Sequence, residues 1–339
     1  MDRIKVGIIG MGRIGQIHLE NLCSKIKGVE VAAVVNPSQR GRDYAVQFGV
    51  ERLSDNADLI FDTPEITVVL ICSPSATHAD YVIRAAESGK AVFCEKPIDM
   101  SLNRAREVVQ VTKKHQVPMM VAFNRRFDPD FAKVQAAVSN GDIGKPLSLH
   151  IISRDPGPPP VAYLKESGGL FRDMAIHDFD MARFIMGSEV TEVFATGDCL
   201  IDPAIAAVGD IDSAMVMLRF ENGATAVIED SRKATYGYDQ RLEIFGTNGM
   251  LQIKNPFKTN VYGSDERGTF ADVNLNFFMD RYKTSYRIEM ERFINAIKYN
   301  ERMPVNGEDG IKAMVIAEAA YESMRENRPV TIESIENIS

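Results

Sequence analysis

Apolar and polar positions divide the chain into two regimes. In the first, continuous apolar runs alternate with segments whose apolar residues recur every three or four positions. "RIKVGIIG" carries Ile4, Val6, Ile8 and Ile9, the pattern of a strand buried on both faces. Helical spacing follows at Ile14, Ile17, Leu22 and Ile26. The alternation repeats in "VEVAAVVN", "ITVVLICSPSATHADYVIRAAESG", "KAVFCEKPIDMSLNRAREVVQVTKKH" and "VPMMVAFNRRFDPDFAKVQAAVSNG". Strands alternating with amphipathic helices predict an α/β fold, a doubly wound parallel sheet. From about residue 145 the pattern changes. "KPLSLHIISRDPGPPP" reads as a strand entering a Pro-rich loop, and Gly168–Gly187 reads as a helix. Then come short strands with Asn-Gly turns at "ENGA" and "TNGM", predicting an open, mostly antiparallel sheet. Helical patterns return at about 285–300 and 309–327. The expected organisation is an N-terminal domain over 1–124 and a C-terminal α+β domain over 125–339, whose last helix packs back on the first domain.

The turn after the first strand carries chemistry. Gly10, Gly12 and Gly15 have G-x-G-x-x-G spacing, with a strand before and a helix after. Gly10 permits the tight turn, Gly12 lets the backbone approach a pyrophosphate, and Gly15 lets helix and strand pack closely. The helix N-terminus offers N–H groups and a positive dipole end to that anion. The reading is a Rossmann domain binding a dinucleotide. The second strand ends at Asn36, where an acidic residue would grip the ribose in an NAD enzyme. Asn36 hydrogen-bonds a ribose hydroxyl without repelling a 2′-phosphate, and Arg40 or Arg42 is available to pair with one, or is simply solvated. NAD is the expected cofactor, with NADP open.

Composition narrows the partners. The net charge is -8 over 339 residues, and no Lys/Arg-rich run is present, which argues against nucleic acid. No apolar run reaches membrane-spanning length and no leader is apparent, so a cytoplasmic protein with no membrane partner is expected. Cys23, Cys72, Cys94 and Cys199 are scattered and read as reduced thiols. The five histidines lack ligand spacing, so no metal is expected.

Ligands of doubly wound sheets sit beyond the carboxyl ends of the strands. Those ends here are "CSPSATH", "CEKP" and "FNRRF". Lys96 lies at one of them, suited to hydrogen-bond a substrate oxygen, and X–Pro bonds such as Lys96–Pro97 tolerate the cis form. Within "GGLFRDMAIHDFD", Asp173 and His177 are four residues apart and share a helix face, with Asp180 near it and Asp178 pointing away. A carboxylate beside an imidazole fixes its tautomer and raises its basicity. The bland alternatives are a surface lysine and a solvated charge pair.

"GIIGMGRIGQIH", "CEKP" and "SRDPGPPP…ESGGLFRDMAIHDFDMARF" together resemble the glucose–fructose oxidoreductase / inositol dehydrogenase family, its inositol 2-dehydrogenase branch in particular. The resemblance covers essentially the whole chain. It implies Lys96, Asp173 and His177 as catalytic residues, with His177 the proton acceptor and Asp173 its orienting partner. It implies Gly10, Met11, Gly12, Arg13, Ile14 and Gly15 around the pyrophosphate, Ser73, Pro74 and His78 along the cofactor groove, and Glu95 beside the nicotinamide end. Arg125, Arg126, Asp155 and Tyr236 would face a polyol. The implied reaction oxidises a cyclic polyol alcohol to a ketone, as in myo-inositol to 2-keto-myo-inositol. The second domain would make a homo-oligomer, a dimer or a tetramer, through its open sheet. Alternatives are a pyranose or scyllo-inositol dehydrogenase, a keto-sugar reductase, or a non-catalytic dinucleotide-binding redox sensor.

Overall fold

The computed structural model describes residues 3–338. The chain forms two compact units, Met1–Phe127 with Ser285–Lys312, and Asp128–Thr284 with Ala313–Ser339.

The first unit is built on six parallel strands: β1 (Ile4–Ile9), β2 (Val29–Val35), β3 (Leu53–Ser54), β4 (Val68–Ile71), β5 (Ala91–Cys94) and β6 (Met119–Val121). Their order is β3-β2-β1-β4-β5-β6, the doubly wound dinucleotide-binding order. Every residue of β4, β5 and β6 is buried, as continuous apolar runs require when helices cover both faces. The crossover helices include Arg13–Ser24, His78–Glu87 and Leu102–Lys114. In the last of these Ala105, Val108, Val109 and Thr112 face inward at helical spacing, and Ser101 caps its start by accepting from the Arg104 N–H.

This unit is discontinuous in sequence. The Val121 N–H donates to Val305 O at 3.3 Å, and the rings of Phe93 and Phe293 lie 5.3 Å apart. A Cβ on Gly307 would meet Val109 at 2.6 Å, and one on Gly310 would meet Ile98 at 2.7 Å. The expected single boundary near residue 125 is therefore corrected: residues 285–312 belong to the first unit. Periodicity marks the Lys283–Tyr299 helix as amphipathic, but not which core its apolar face joins.

The second unit carries β7 (Pro146–Arg154), β8 (Val190–Asp198), β9 (Ser213–Phe220), β10 (Thr225–Ser231), β11 (Asp239–Gly246), β12 (Gly249–Ile253), a small hairpin of β13 (Tyr262–Asp265) and β14 (Gly268–Ala271), and β15 (Val330–Thr331). The main sheet runs β12-β11-β7-β10-β9-β8-β15, antiparallel except where β7 and β10 pair in parallel. Both Asn-Gly turns are hairpins, joining β9 to β10 and β11 to β12. Ala214, Val216, Leu218 and Phe220 point into the core along β9, while Met215 and Met217 on the opposite face are about half exposed. No helix among the described residues is long and apolar enough to cross a membrane.

Candidate active site

In the first unit the glycine loop leaves β1 at Gly10, whose φ is +97°. A side chain there would meet Cys72 O at 2.4 Å, so turn and close approach both demand glycine. A Cβ on Gly15 would strike Gly10 O at 2.1 Å, whereas one on Gly12 meets nothing within 4 Å. The three glycines thus do different work: two pack protein on protein, and the third leaves open space beside the helix start. Gly12 caps the Arg13–Ser24 helix without a side-chain hydrogen bond. An open glycine at an uncapped N-terminus fits a pyrophosphate. Arg13 and Ile14 form the first helical turn, and Met11 is buried beneath it.

Asn36 follows β2 directly and ties the loop down. Its Oδ1 accepts from Met11 N–H at 2.9 Å, and its Nδ2 donates to Ser38 Oγ at 2.8 Å and Ser38 O at 3.2 Å. Arg42 donates to the carbonyls of Asn36 and Pro37 and to Gln39 Oε1, while Arg40 is exposed. Of the two arginines weighed for a 2′-phosphate, Arg42 is thus committed to its own loop.

Beyond β4, Ser73 Oγ bonds Thr77 Oγ1 at 2.7 Å and Pro74 is exposed. His78 is buried, with its ring nitrogens 2.8 Å from Pro97 O and from Ser73 O. It fastens the turn after β4 to the turn after β5. The Lys96–Pro97 peptide is cis. Glu95 Oε1 lies 3.2 Å from Nε2 of the fully buried His18. Arg125 is buried in the Asn124–Phe127 turn. Arg126 was expected to face substrate, but its guanidinium pairs with Asp309 at 3.0 Å and is nearly buried. That pairing crosses 183 positions of sequence, which no local pattern signals.

In the second unit the helix expected from Gly168 to Gly187 is not uniform. Phe171–Ala175 forms a π turn, and an α-helix runs on over Ile176–Met186. π turns concentrate at functional sites. Asp173 lies in the π turn and His177 in the first turn of the α-helix. Asp173 Oδ1 accepts from the Tyr163 hydroxyl at 2.7 Å, and its Oδ2 accepts from Arg232 at 3.3 Å. Asp178 and Asp180 are both buried; Asp180 lies 3.7 Å from Arg183, and Asp178 does not point to solvent as a residue on the outer face would. Asp155 follows β7, held by Asp155 N–H to Ser231 O and Ala234 N–H to Asp155 O. The Tyr236 hydroxyl donates to Asp239 at 2.6 Å and accepts from Arg154.

Sequence reasoning missed Arg232, Asp210 and Tyr163. A signal for Arg232 existed. Inward positions of β10 fall at Ala226, Ile228 and Asp230, and the same alternation carries on to Arg232. A charged residue on an inward phase must be paired. Among the described residues no cluster of His, Cys, Asp and Glu is placed to hold a metal.

Comparison with known proteins agrees with this architecture. Residues 4–123 match the family model described as an oxidoreductase family with an NAD-binding Rossmann fold, and residues 131–252 match the GFO/IDH/MocA C-terminal domain. The chain is 48% identical to the uncharacterized oxidoreductase YrbE of Bacillus subtilis, covering 99% of both chains. It is 45% identical to the myo-inositol 2-dehydrogenase of Thermotoga maritima, over 98% of this chain and 99% of that one. The scyllo-inositol dehydrogenase of Lactobacillus casei, solved with NAD(H) and scyllo-inositol, superposes with a TM-score of 0.91 at 31% identity, covering 98% of this chain and 100% of that one. The chain is an oxidoreductase with an NAD-binding domain, and it belongs to the GFO/IDH/MocA family.

Proposed function

We propose that the protein oxidises one ring alcohol of a cyclic polyol to a ketone, with myo-inositol giving 2-keto-myo-inositol. The observation that carries this reading is the fixed Asp173 carboxylate, gripped on both oxygens one helical step before His177. The likeness to the Thermotoga myo-inositol 2-dehydrogenase over nearly the whole chain supports the substrate. Likeness to the Lactobacillus casei enzyme favours scyllo-inositol as the second candidate.

In this reading His177 takes the hydroxyl proton, and Asp173 orients its imidazole. Lys96 hydrogen-bonds the same oxygen and stabilises the negative charge that develops there. A nicotinamide held there would supply the acceptor for the hydride that leaves the carbinol carbon. Gly10, Gly12 and Gly15 with Met11, Arg13 and Ile14 hold its pyrophosphate. Asn36 serves the adenosine ribose, and Ser73, Pro74 and Glu95 serve the groove. Arg125, Asp155 and Tyr236 remain the proposed polyol contacts, since multiple hydroxyls call for several polar side chains.

The open face of the main sheet supports a homo-oligomer, a tetramer by preference. Met215, Met217 and Phe245 are each about half exposed, more apolar area than a solvated sheet carries. The four free cysteines agree with a cytoplasmic location. The decisive experiment is a panel of inositols and hexoses assayed with NAD and NADP, following reduced-nicotinamide absorbance. Turnover on myo-inositol is expected. Activity on a pyranose alone would overturn the substrate assignment and leave the family standing.

A further inference from the structure

Arg232 is among the largest fully buried side chains of the described residues. Its Nη1 lies 3.3 Å from Asp173 Oδ2, and its Nη2 lies 3.1 Å from Asp210 Oδ2. The guanidinium thus pairs with two carboxylates, and the charge of Asp155 acts on it as well. The backbone is anchored as well, with the Arg232 N–H donating to Asp212 O at 2.8 Å. Asp210 has a second task. Its Oδ1 accepts from the Leu170 N–H at 2.9 Å, at the residue preceding the π turn that carries Asp173. A side chain on Gly169 would meet Asp210 Oδ1 at 2.8 Å and the Tyr321 hydroxyl at 2.3 Å, so chain and carboxylate touch there. The Asp210–Arg232 pair therefore grips the π turn twice, by its main chain at Leu170 and by its side chain at Asp173.

An ion pair that served only to join β10 to the π turn would need one carboxylate, on any nearby residue. Here the guanidinium instead spends one arm on the carboxylate proposed to orient His177. The other Asp173 oxygen is held by Tyr163, so rotation of the carboxylate breaks a bond in either direction. A planar guanidinium fixes such an angle where a lysine ammonium would act as a point charge.

We propose that Arg232 is a positioning residue of the dehydrogenase reaction: it sets the orientation of the Asp173 carboxylate toward His177, and Asp210 holds Arg232 in place to do so. The proposal rests on the reading of Asp173 and His177 as the catalytic pair.

The test compares Asp173→Asn, Arg232→Met, Arg232→Lys, Arg232→Met/Asp210→Asn and Arg232→Met/Asp173→Asn. Each is checked for folding by circular dichroism and for NADH affinity by fluorescence. The Arg232→Met/Asp210→Asn variant removes the buried cation together with one of its anions, and so serves if Arg232→Met alone fails to fold. Loss of alignment is expected to lower kcat by roughly 10- to 100-fold in either Arg232→Met background, with NADH affinity unchanged. Arg232→Lys recovers part of the loss. Arg232→Met/Asp173→Asn turns over no more slowly than Asp173→Asn alone, because residues acting as a unit are not additive. Multiplying losses in that double variant, or kcat within about threefold of the parent in the folded Arg232 variants, would overturn the proposal. Parental turnover in Asp173→Asn is the separate result that removes the catalytic reading itself, and the proposal with it.

Discussion

Asn36 accepts the Met11 N–H through its side-chain oxygen at 2.9 Å, so the residue just past β2 also pins the glycine loop. Its amide nitrogen faces Ser38, and the neutral side chain carries no charge to repel a 2′-phosphate. Asn36→Asp keeps the acceptor for Met11 and adds the missing charge. The expected outcome is a higher KM for NADP with KM for NAD little changed, a shift in preference of roughly tenfold for one charge contact worth about 1.4 kcal/mol. Steady-state kinetics with both cofactors checks it. If NADP is used equally well by parent and variant, discrimination lies elsewhere.

Gly10→Ala tests the loop directly. The substitution places a Cβ against Cys72 O and requires a φ of +97° of a residue that resists it. Loss of dinucleotide binding is expected, by fluorescence titration. Gly12→Ala meets no protein atom and should leave the protein as stable as the parent while still weakening binding. A Gly12→Ala variant that unfolds would contradict this division of labour.

His177→Ala and Lys96→Met should each lower kcat roughly 10²-fold or more, the usual loss for a proton-transfer group. NADH affinity should survive in His177→Ala. Normal turnover in that variant would move the base to another residue.

Glu289 supplies a pH prediction. It is fully buried, and among the described residues neither carboxyl oxygen has a hydrogen-bond partner. Burial pushes its carboxyl well above the usual range, and the Glu95 charge pushes the same way. The folded protein therefore keeps a proton that the unfolded chain would release. Stability contributed by this group is complete below the ordinary glutamate range and is lost as pH rises through the folded value. Glu289→Gln removes the penalty. Its Tm should exceed the parent's by a margin that widens from about pH 5 to about pH 8. Parallel melting curves against pH would show that the side chain is not held neutral.

Met215→Glu/Met217→Glu places charge on the open sheet face. Dissociation to monomers is expected by light scattering, with the isolated fold intact. A parent that is already monomeric would end the assembly proposal.

Much of this molecule could be read from residue patterns, and the failures share a cause. The glycine loop was legible because its chemistry is local, with strand, turn and helix contiguous in sequence. The β9–β10 hairpin was legible because Asn222–Gly223 sits between alternating runs. The partners of Arg126 and His78, Asp309 and Pro97, were not legible because they are fixed only by the fold. The π turn at Phe171–Ala175 was invisible because its spacing differs little from that of an α-helix over one turn.

The split of the first unit into Met1–Phe127 and Ser285–Lys312 has a consequence during synthesis. The ribosome delivers all six strands of the parallel sheet first, then must translate the whole of Asp128–Thr284 before Phe293 and Val305 can emerge. At ordinary translation speeds that interval lasts roughly 10 to 30 seconds. Throughout it, Phe93 lacks the Phe293 ring, Val109 lacks the Gly307 backbone that later packs against it, and the Val121 N–H lacks its acceptor. The nascent half-domain leaves that apolar surface uncovered for that time, and a gene fragment cut at Phe127 would leave it uncovered permanently, the condition under which aggregation is expected.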